Sequence, residues 1–358
     1  MLEGGLSMQE MKNTIRAKAA EGPARKPLVE AKHLKKYFQV LRKGELHAVD
    51  DVSFQIYPGE TLGLVGESGC GKSTVGNVVM RLLPKTDGEL CFNGQDIFAA
   101  DKEQSRELRK KMQIIFQDPY SSLNPRWTIR QTLEEAYRIH NIASGDELKK
   151  EIDELCEIAG IDKDLLNRFP HELDGGNRQI VGIARALSLD PEFIVCDEPV
   201  SSLDVSVQAK IINRLMDLQK ERGLAYLFVS HDLSVVRHIS HRIAVMYLGQ
   251  IVEIADTDQI FENTMHPYSI ALLSAVPRVN LDKKVSRIVL KGDVPSPMNP
   301  KPGCRFAPRC WMARDDCKDR DPELVEVEPG HCVACHYAMQ ARELIASAEH
   351  KALDKQEV

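Results

Sequence analysis

The segment GESGCGKST, residues 66–74, limits the possible folds of this chain more than any other feature of the sequence. It follows an apolar, strand-like run and precedes a segment with helical periodicity. It fits the spacing G-x-x-x-x-G-K-[ST], in which backbone N–H groups wrap a phosphate and the helix N-terminus adds partial positive charge. We therefore predict a nucleotide site in which Lys72 reaches the β- and γ-phosphates and the Ser73 hydroxyl binds Mg²⁺. The predicted phosphate-binding residues are Gly66, Glu67, Ser68, Gly69, Cys70, Gly71, Lys72, Ser73 and Thr74.

Strand-like and helical segments alternate on both sides of this loop, which predicts an α/β fold with a largely parallel, helix-covered sheet. The main domain is predicted at residues 28–275, with a helical insertion at about 100–185, where charge and helical period dominate. Residues 1–27 are polar, and we expect a mobile extension there. Residues 276–358 begin with a Pro- and Gly-rich stretch and carry a cysteine cluster, which predicts a small terminal subdomain.

Composition excludes several classes of protein. The chain has 358 residues, room for two or three domains, with 43% hydrophobic and 28% charged residues. A net charge of -6 gives no general case for nucleic-acid binding, so no nucleic-acid partner is expected. The longest apolar runs fall well short of the roughly 18 residues of a membrane-spanning helix, and the N-terminus lacks the apolar stretch of a secretory signal. These features place the expected location in the cytoplasm.

Two further strand ends carry polar residues that suit phosphate chemistry. In FIVCDEP, Asp197 ends an apolar strand and suits Mg²⁺ coordination, while Glu198 follows it as a candidate general base for an attacking water. In FVSHD, His231 follows another strand, at the edge of the sheet where the phosphates are expected. Carboxylates after a strand are a weak signal alone, but the phosphate loop makes the combination strong.

These motifs, together with IIFQDP, a GG-x-R-Q helix and SSLD, resemble in order and spacing the ATP-binding subunits of ABC transporters. The resemblance covers about residues 28–275. It implies an ATPase with an ABC-type P-loop NTPase fold: a mixed or parallel sheet core, a helical subdomain and a small cysteine-containing C-terminal extension. The segments QDPYSSLNPRWTI, HPYSIALLSAVP and GCRFAPRC resemble the subfamily that powers import of oligopeptides and dipeptides, with nickel and oligosaccharide systems as relatives.

The resemblance also implies partners and residue roles. Two such subunits would face each other head to tail beneath two membrane-spanning permease subunits, peripheral to the cytoplasmic face of the membrane, with an extracytoplasmic substrate-binding protein acting indirectly. Tyr37 would stack on adenine, Gln117 would sense Mg²⁺ and the attacking water, Asp204 would communicate across the dimer, and His231 would contact the γ-phosphate. An aromatic residue in a strand is more often a core residue, and Phe38 is its neighbour, so the role of Tyr37 has a structural alternative.

The sequence leaves other interpretations of this predicted ATPase open. ABC proteins of translation or DNA repair usually carry two cassettes in one chain, and exporters commonly fuse the cassette to membrane helices, so import is favoured. The chain could instead be a regulatory nucleotide-binding partner with little hydrolysis of its own. The intact Glu198 and His231 argue against that alternative.

Five of the nine cysteines fall within 32 residues of the C-terminal segment. In a reducing compartment this clustering favours metal over disulfides. Four thiolates can hold tetrahedral zinc or an iron–sulfur cluster. The resemblance favours a [4Fe–4S] cluster on Cys304, Cys310, Cys317 and Cys335, with Cys332 as a non-ligand. Zinc and the absence of metal remain alternatives.

The glycine-rich signature, residues 173–180, departs from the family pattern, because LDGGNRQI stands where the family has LSGGQRQR. Asp174, Gly175, Gly176 and Asn177 would face the partner's ATP. Aspartate caps a helix as well as serine does, but ionised it accepts hydrogen bonds only. Two like charges about 4 Å apart repel by roughly 4 kcal/mol at an effective dielectric of 20, against about 1 kcal/mol for one lost hydrogen bond. We therefore predict a heterodimer with a second ABC ATPase subunit that retains the serine; the alternative is that Asp174 is tolerated and both sites are active.

Overall fold

The computed structural model describes residues 25–276, 288–290, 292–293 and 295–343. The predicted N-terminal extension, residues 1–27, therefore lies outside the described residues apart from residues 25–27. Twelve strands are described: β1 Val29–Val40, β2 Gly44–Ile56, β3 Thr61–Val65, β4 Asp87–Phe92, β5 Gln95–Asp96, β6 Met112–Ile115, β7 Phe193–Asp197, β8 Ala225–Ser230, β9 Arg242–Tyr247, β10 Gln250–Asp256, β11 Val325–Glu328 and β12 His331–Val333.

The described helices cover both faces of the larger sheet and fill the segment between β6 and β7. They are α1 Lys72–Val79, α2 Lys102–Lys111, α3 Pro119–Ser122, α4 Ile129–His140, α5 Gly145–Ala159, α6 Gly175–Leu187, α7 Val205–Arg222, α8 Leu233–Ile239, α9 Thr257–Glu262 and α10 Pro267–Ser274. Helices α2 to α5 lie within the range predicted for the helical insertion, and α6 begins within it. In the same range, β6 joins the central sheet rather than the helical block.

The central sheet has eight described strands in the order β11-β12-β10-β9-β3-β8-β7-β6. Strands β6, β7, β8, β3 and β9 run parallel, and β10, β12 and β11 continue the sheet antiparallel. The predicted α/β fold with a mixed sheet core is confirmed. A smaller antiparallel sheet, β2-β1-β4-β5, packs beside it, and β1 and β2 form a hairpin across residues 41–43.

The core lies on both faces of the parallel strands, which explains why β3, β7 and β8 are buried throughout. Alternate residues of one strand enter different clusters. Ile194 and Cys196 pack into the cluster that faces the helical block, whereas Phe193 and Val195 pack into the cluster shared with α1 and the smaller sheet. This alternation is the two-residue period of a strand.

The C-terminal extension completes the central sheet instead of standing apart from it. Strand β12 pairs with β10, placing Val333 opposite Glu253 and Cys332 opposite Ile254, and β11 then pairs with β12. Upstream of these strands, the Asn299 side chain accepts a hydrogen bond from Glu45 N and donates one to Lys43 O in the β1–β2 turn. The extension therefore contacts both sheets.

Among the described residues, no helix combines the length and the apolarity needed to cross a membrane.

Candidate nucleotide site

The phosphate loop, Gln117, Asp197, Glu198 and His231 meet at one edge of the central sheet, where the parallel strands end. The phosphate loop follows β3, Asp197 ends β7, and His231 comes directly after β8. Gln117 lies two residues beyond β6. Because the carboxyl ends of parallel strands share one edge, residues separated by more than 100 positions converge there.

The phosphate loop packs so closely against its neighbours that two of its glycines leave no space for a side chain. Gly71 has φ of 110°, and a Cβ there would lie 2.0 Å from the carbonyl oxygen of Ala48. A Cβ on Gly66 would lie 2.2 Å from the carbonyl oxygen of Met246. Only glycine fits these positions, so the motif is a steric requirement of this fold as well as a phosphate signal.

Lys72 and Ser73 sit at the start of α1 with their polar atoms directed into the site. The Lys72 side chain is buried, and its Nζ donates to the carbonyl oxygens of Gly66 at 2.9 Å and Glu67 at 3.1 Å. Ser73 Oγ donates to Asp197 Oδ1 at 2.8 Å. Burial raises the pKa of Asp197, and the charge of Glu198 adds to this, although the Ser73 hydrogen bond opposes it. A divalent cation would stabilise the carboxylate form of such a group.

Glu198 lies between two polar side chains from neighbouring strands. Its Oε2 accepts from Gln117 Nε2 at 2.9 Å, and its Oε1 lies 3.2 Å from His231 Nδ1. The residue has φ of 44°, a left-handed conformation that costs about 1 kcal/mol or more for a non-glycine residue. Its N–H donates to the carbonyl oxygen of Val229, which anchors this backbone to β8. A half-buried carboxylate held in this way has the geometry of a general base.

Tyr37 lies on β1 at the other side of the candidate site. Its ring stacks on His47 with centroids 3.8 Å apart, and its hydroxyl donates to the Asp50 carboxylate. Burial and the hydrogen bond to Asp50 raise the pKa of Tyr37. One face of the ring is therefore covered by His47, and stacking on adenine stays a prediction for the opposite face.

Asp174 caps α6, as the sequence predicts. Its Oδ1 accepts from the Asn177 backbone N–H at 2.7 Å, and its Oδ2 accepts from Asn177 Nδ2 at 2.8 Å. The two departures from the family pattern at these positions thus form one hydrogen-bonded pair. Gly175 and Gly176 occupy the first two positions of the helix. At the start of α7, Asp204 is likewise a cap, accepting from Ser206 N and Val207 N.

Four thiols of the C-terminal extension line one cavity, whose other walls include Phe306 and Tyr337. These are Cys304, Cys310, Cys317 and Cys335, whereas Cys332 lies on β12 and does not line it. Within the described ranges, no three His, Cys, Asp or Glu side chains are placed together as ligands of a single metal ion. Burial raises the pKa of the Cys304 thiol to about 11 and that of the Cys335 thiol to about 12.

Backbone N–H groups point at two of these sulfurs. Met312 N donates to Cys310 Sγ and Tyr337 N donates to Cys335 Sγ, each at 3.4 Å. In both cases the donor lies two residues after the cysteine. Such N–H···S contacts stabilise negative charge on sulfur and are among the features that tune iron–sulfur sites. The structure thus brings four of the five clustered cysteines to one cavity, and a group bound by them stays a prediction.

Sequence reasoning missed several residues that support the phosphate loop and the neighbouring strand β2, two of them in the C-terminal extension. Arg309 pairs with Glu67, and Arg305 pairs with Asp50, across 242 and 255 positions of sequence. The Tyr268 hydroxyl accepts a hydrogen bond from Glu67 N at 2.9 Å. The available signal was the presence of two arginines between Cys304 and Cys310 in CRFAPRC.

Comparisons with known proteins agree with this geometry. The family described as ABC transporter matches residues 49–201, and the family described as oligopeptide/dipeptide transporter, C-terminal region, matches residues 252–317. The chain is 51% identical over 315 residues to the putative oligopeptide transport ATP-binding protein YkfD of Bacillus subtilis, covering 87% of this chain and 96% of that protein. It is 47% identical over 317 residues to the dipeptide transport ATP-binding protein DppF of Haemophilus influenzae, covering 87% and 97%.

A solved structure supports the fold assignment. The ATP-binding cassette MJ0796, in a dimeric post-hydrolysis state bound to ADP and Pi, matches with a TM-score of 0.59 and 29% identity, covering 64% of this chain and 98% of that one. ATP and Mg²⁺ are the ligands expected for such a cassette. The chain therefore belongs to the ATP-binding proteins of ABC transporters, in their oligopeptide/dipeptide branch, and it is an ATPase.

Proposed function

We propose that this chain powers the import of oligopeptides or dipeptides as the ATP-hydrolysing subunit of an ABC importer. It would lie at the cytoplasmic face of the membrane, bound to two membrane-spanning permease subunits and supplied with solute by an extracytoplasmic binding protein. The support is the match to the oligopeptide/dipeptide C-terminal family and the peptide-transport names of relatives about half identical in sequence.

The observation that carries the catalytic role is the set of contacts made by Glu198 and Asp197. Lys72 and the phosphate loop would hold the β- and γ-phosphates, while Ser73 and Asp197, whose oxygens lie 2.8 Å apart, would hold Mg²⁺ with Gln117. Glu198 accepts a proton from the water that attacks the γ-phosphorus as the bond to the ADP oxygen breaks. His231, 3.2 Å from Glu198, donates to the γ-phosphate.

We further propose that the chain works in an unequal heterodimer. Asp174 replaces a hydroxyl donor with a carboxylate at the signature, and both of its oxygens are held by Asn177. An acceptor facing the partner's γ-phosphate weakens that site. This chain's own catalytic residues are complete, so the productive site combines them with a serine-bearing signature on a second ATPase subunit.

Matched substitutions in the two subunits test this asymmetry. Glu198→Gln in this chain should abolish transport-linked ATPase activity of the assembled complex, while the equivalent change in the partner subunit leaves at least about half of it. Equal loss from both substitutions would refute the unequal pair and support two active sites. Retained hydrolysis in Glu198→Gln with total loss in the partner variant would instead make this chain the regulatory subunit.

Identification of the solute requires the assembled importer. Co-purification with the extracytoplasmic binding protein, followed by mass spectrometry of its bound ligand, should find peptides of two or more residues. A nickel chelate or an oligosaccharide in their place would assign the system to one of the related solute classes.

We propose a [4Fe–4S] cluster on Cys304, Cys310, Cys317 and Cys335, which share one cavity and, at two positions, accept backbone N–H donors. When bound, such a cluster joins four segments of a loop-rich extension. Anaerobically purified protein should contain about four iron and four sulfide per chain with a broad visible absorption. Stoichiometric zinc without iron, or no metal at all, would overturn this assignment.

A further inference from the structure

One arginine of the segment between Cys304 and Cys310 contacts the phosphate loop. Arg309 donates to both carboxylate oxygens of Glu67, from Nη1 at 2.9 Å and from Nη2 at 3.1 Å. The guanidinium is 8% exposed and lies over the Tyr247 ring. A bidentate pair of this kind is geometrically specific, and its burial protects it from screening by salt.

Glu67 is thereby fixed at three points. Its N–H donates to the Tyr268 hydroxyl, its carbonyl oxygen accepts from Lys72, and its carboxylate is held by Arg309. Phe306, from the same segment as Arg309, is 1% exposed and packs against Tyr268 with ring centroids 5.5 Å apart. The C-terminal extension therefore supports the phosphate loop through an ion pair and through an apolar contact.

The same segment carries a second arginine, which contacts β2 and the β9–β10 turn. Arg305 donates to the Asp50 carboxylate and to the carbonyl oxygen of Leu248. Asp50 also accepts from the Tyr37 hydroxyl and lies 3.0 Å from His47 Nδ1. Arg305 and Asp50 are 10% and 13% exposed, so this network is shielded from solvent.

We propose that the C-terminal extension is a working part of the ATP site, in which Arg309 positions the phosphate loop and Arg305 positions Tyr37 through Asp50. Glu67 brings a negative charge into a loop that must bind polyphosphate, and Arg309 neutralises that charge while fixing its place. Both are positioning residues, because they act on the nucleotide through other side chains. The proposal rests on the phosphate loop being the ATP site and is independent of the solute and of the group on the cysteines.

Nucleotide binding to the full-length chain tests the proposal, measured by calorimetry with Mg²⁺ and the non-hydrolysable analogue AMP-PNP. Arg309→Ala should raise the Kd about tenfold, and Arg309→Lys, which keeps the charge but loses the bidentate geometry, should give a smaller rise. In the assembled complex, the KM for ATP should rise similarly while kcat changes by less than about twofold. Arg314→Ala, an exposed arginine of the same extension stacked on Tyr337, is the matched control.

A double substitution separates positioning from a general effect on folding. In Arg309→Ala, the unpaired Glu67 charge disfavours polyphosphate, so adding Glu67→Gln should restore the Kd to within about threefold of the parent. A merely structural Arg309 would give a double variant no better than Arg309→Ala. Unchanged binding in Arg309→Ala would also overturn the proposal. Absence of binding by the parent chain would instead refute the ATP site itself.

Substitution of Arg305 and substitution of Arg309 should weaken the binding of different ligands. Arg305→Ala should weaken AMP-PNP about fivefold or more and leave competition by inorganic tripolyphosphate unchanged, because it acts at the adenine end. Arg309→Ala should weaken both ligands. Loss of tripolyphosphate binding in Arg305→Ala would contradict the assignment of that residue.

Discussion

At the scale of single residues, the site depends on groups that are held by their protein neighbours. Glu198 keeps a left-handed backbone conformation and takes one contact each from Gln117 and His231. Strain of this kind persists only when the surroundings enforce it. Glu198 directly follows the buried strand β7, and its N–H donates to Val229 of the buried strand β8. These two strands hold the Glu198 backbone, and therefore its carboxylate, beside Asp197.

Asp174 gives the sharpest prediction at this scale. In the proposed heterodimer, Glu198→Gln would inactivate this chain's own site, and the remaining site would combine the partner's catalytic residues with this chain's signature. Adding Asp174→Ser should raise the residual ATPase rate at least tenfold, since a hydroxyl donor replaces a charge facing the γ-phosphate. Steady-state ATPase assays of the reconstituted complex measure the effect.

Asp174→Asn serves as the matched variant, because it caps the helix equally well but carries no charge. It should give a rate between those of the aspartate and serine forms. If Asp174→Ser leaves the residual rate unchanged, the defect of the second site lies elsewhere than in Asp174.

At the scale of secondary-structure elements, the attachment of β12 to β10 includes a buried contact between His331 and the Glu253 carboxylate. The Glu253 carboxylate is fully buried and accepts from Met265 N, His266 N, Thr264 Oγ1 and His331 Nε2, the last at 2.8 Å. Burial by itself would raise the pKa of Glu253, but the hydrogen bonds from His331 and its other partners outweigh it and lower the pKa below its ordinary value of 4.5. The attachment is therefore electrostatic as well as a sheet contact.

Replacing His331 should loosen the extension in a pH-dependent way. His331→Ala should lower the free energy of unfolding of the extension by about 2 kcal/mol at pH 7, because a buried carboxylate loses a hydrogen-bond partner. Since the pKa of Glu253 is lowered on folding, its stabilisation is complete above about pH 4.5 and is lost as the pH falls through the folded-state value. The difference between the parent and the variant should accordingly shrink in acid.

Tryptophan fluorescence can measure the unfolding of the extension, because the chain has two tryptophans. In a Trp127→Phe background, Trp311 of the extension is the remaining tryptophan, so its fluorescence follows urea unfolding of that part of the chain. His238→Ala, at an exposed histidine of α8, is the control and should change the unfolding free energy by less than about 0.5 kcal/mol. A His331 variant as stable as the control at pH 7 would contradict the role of the pair.

At the scale of the whole molecule, the extension links three parts that are distant in sequence. It adds β12 and β11 to the central sheet, and its Asn299 side chain hydrogen-bonds to the β1–β2 turn. Its Arg305 and Arg309 pair with Asp50 and Glu67 at the ATP site. Both arginines lie between two of the cysteines that line the cavity. If the proposed cluster is bound there, it would constrain the segment that carries both arginines, which is a separate hypothesis from the arginine contacts themselves.

This connection predicts that the cysteine site and the ATP site respond together. Cys310→Ser should lose bound metal and raise the Kd for AMP-PNP about as much as Arg309→Ala does, with little further rise when the two are combined. Metal analysis and calorimetry on the same samples check both parts.

Cys332→Ser is the control, because Cys332 lies on β12 outside the cavity and should leave metal content and affinity unchanged. Loss of metal in Cys310→Ser without a change in nucleotide affinity would show that the arginines keep their positions independently of the cysteines.

The sequence by itself determined the fold class, the family and the order of the site motifs, because these depend on local patterns. The spacing of glycines, Lys72 and Ser73 in GESGCGKST is by itself typical of a phosphate-binding loop. The apolar runs before Asp197 and His231 predict parallel strands whose carboxyl ends lie at one edge of the sheet. The Asp174 cap was also predictable, since capping acts within one turn of helix. The roles assigned to the individual site residues stay predictions.

Only the tertiary structure decided how the extension meets the ATP site. The Arg309–Glu67 and Arg305–Asp50 pairs join residues more than 240 positions apart, and neither residue type nor spacing specifies a partner at that distance. Likewise, nothing in the sequence indicated that Glu253 would be buried against His331. The physical reason is that patterns of hydrophobicity and backbone propensity encode local structure, whereas a long-range ion pair exists only after the sheets and loops have packed.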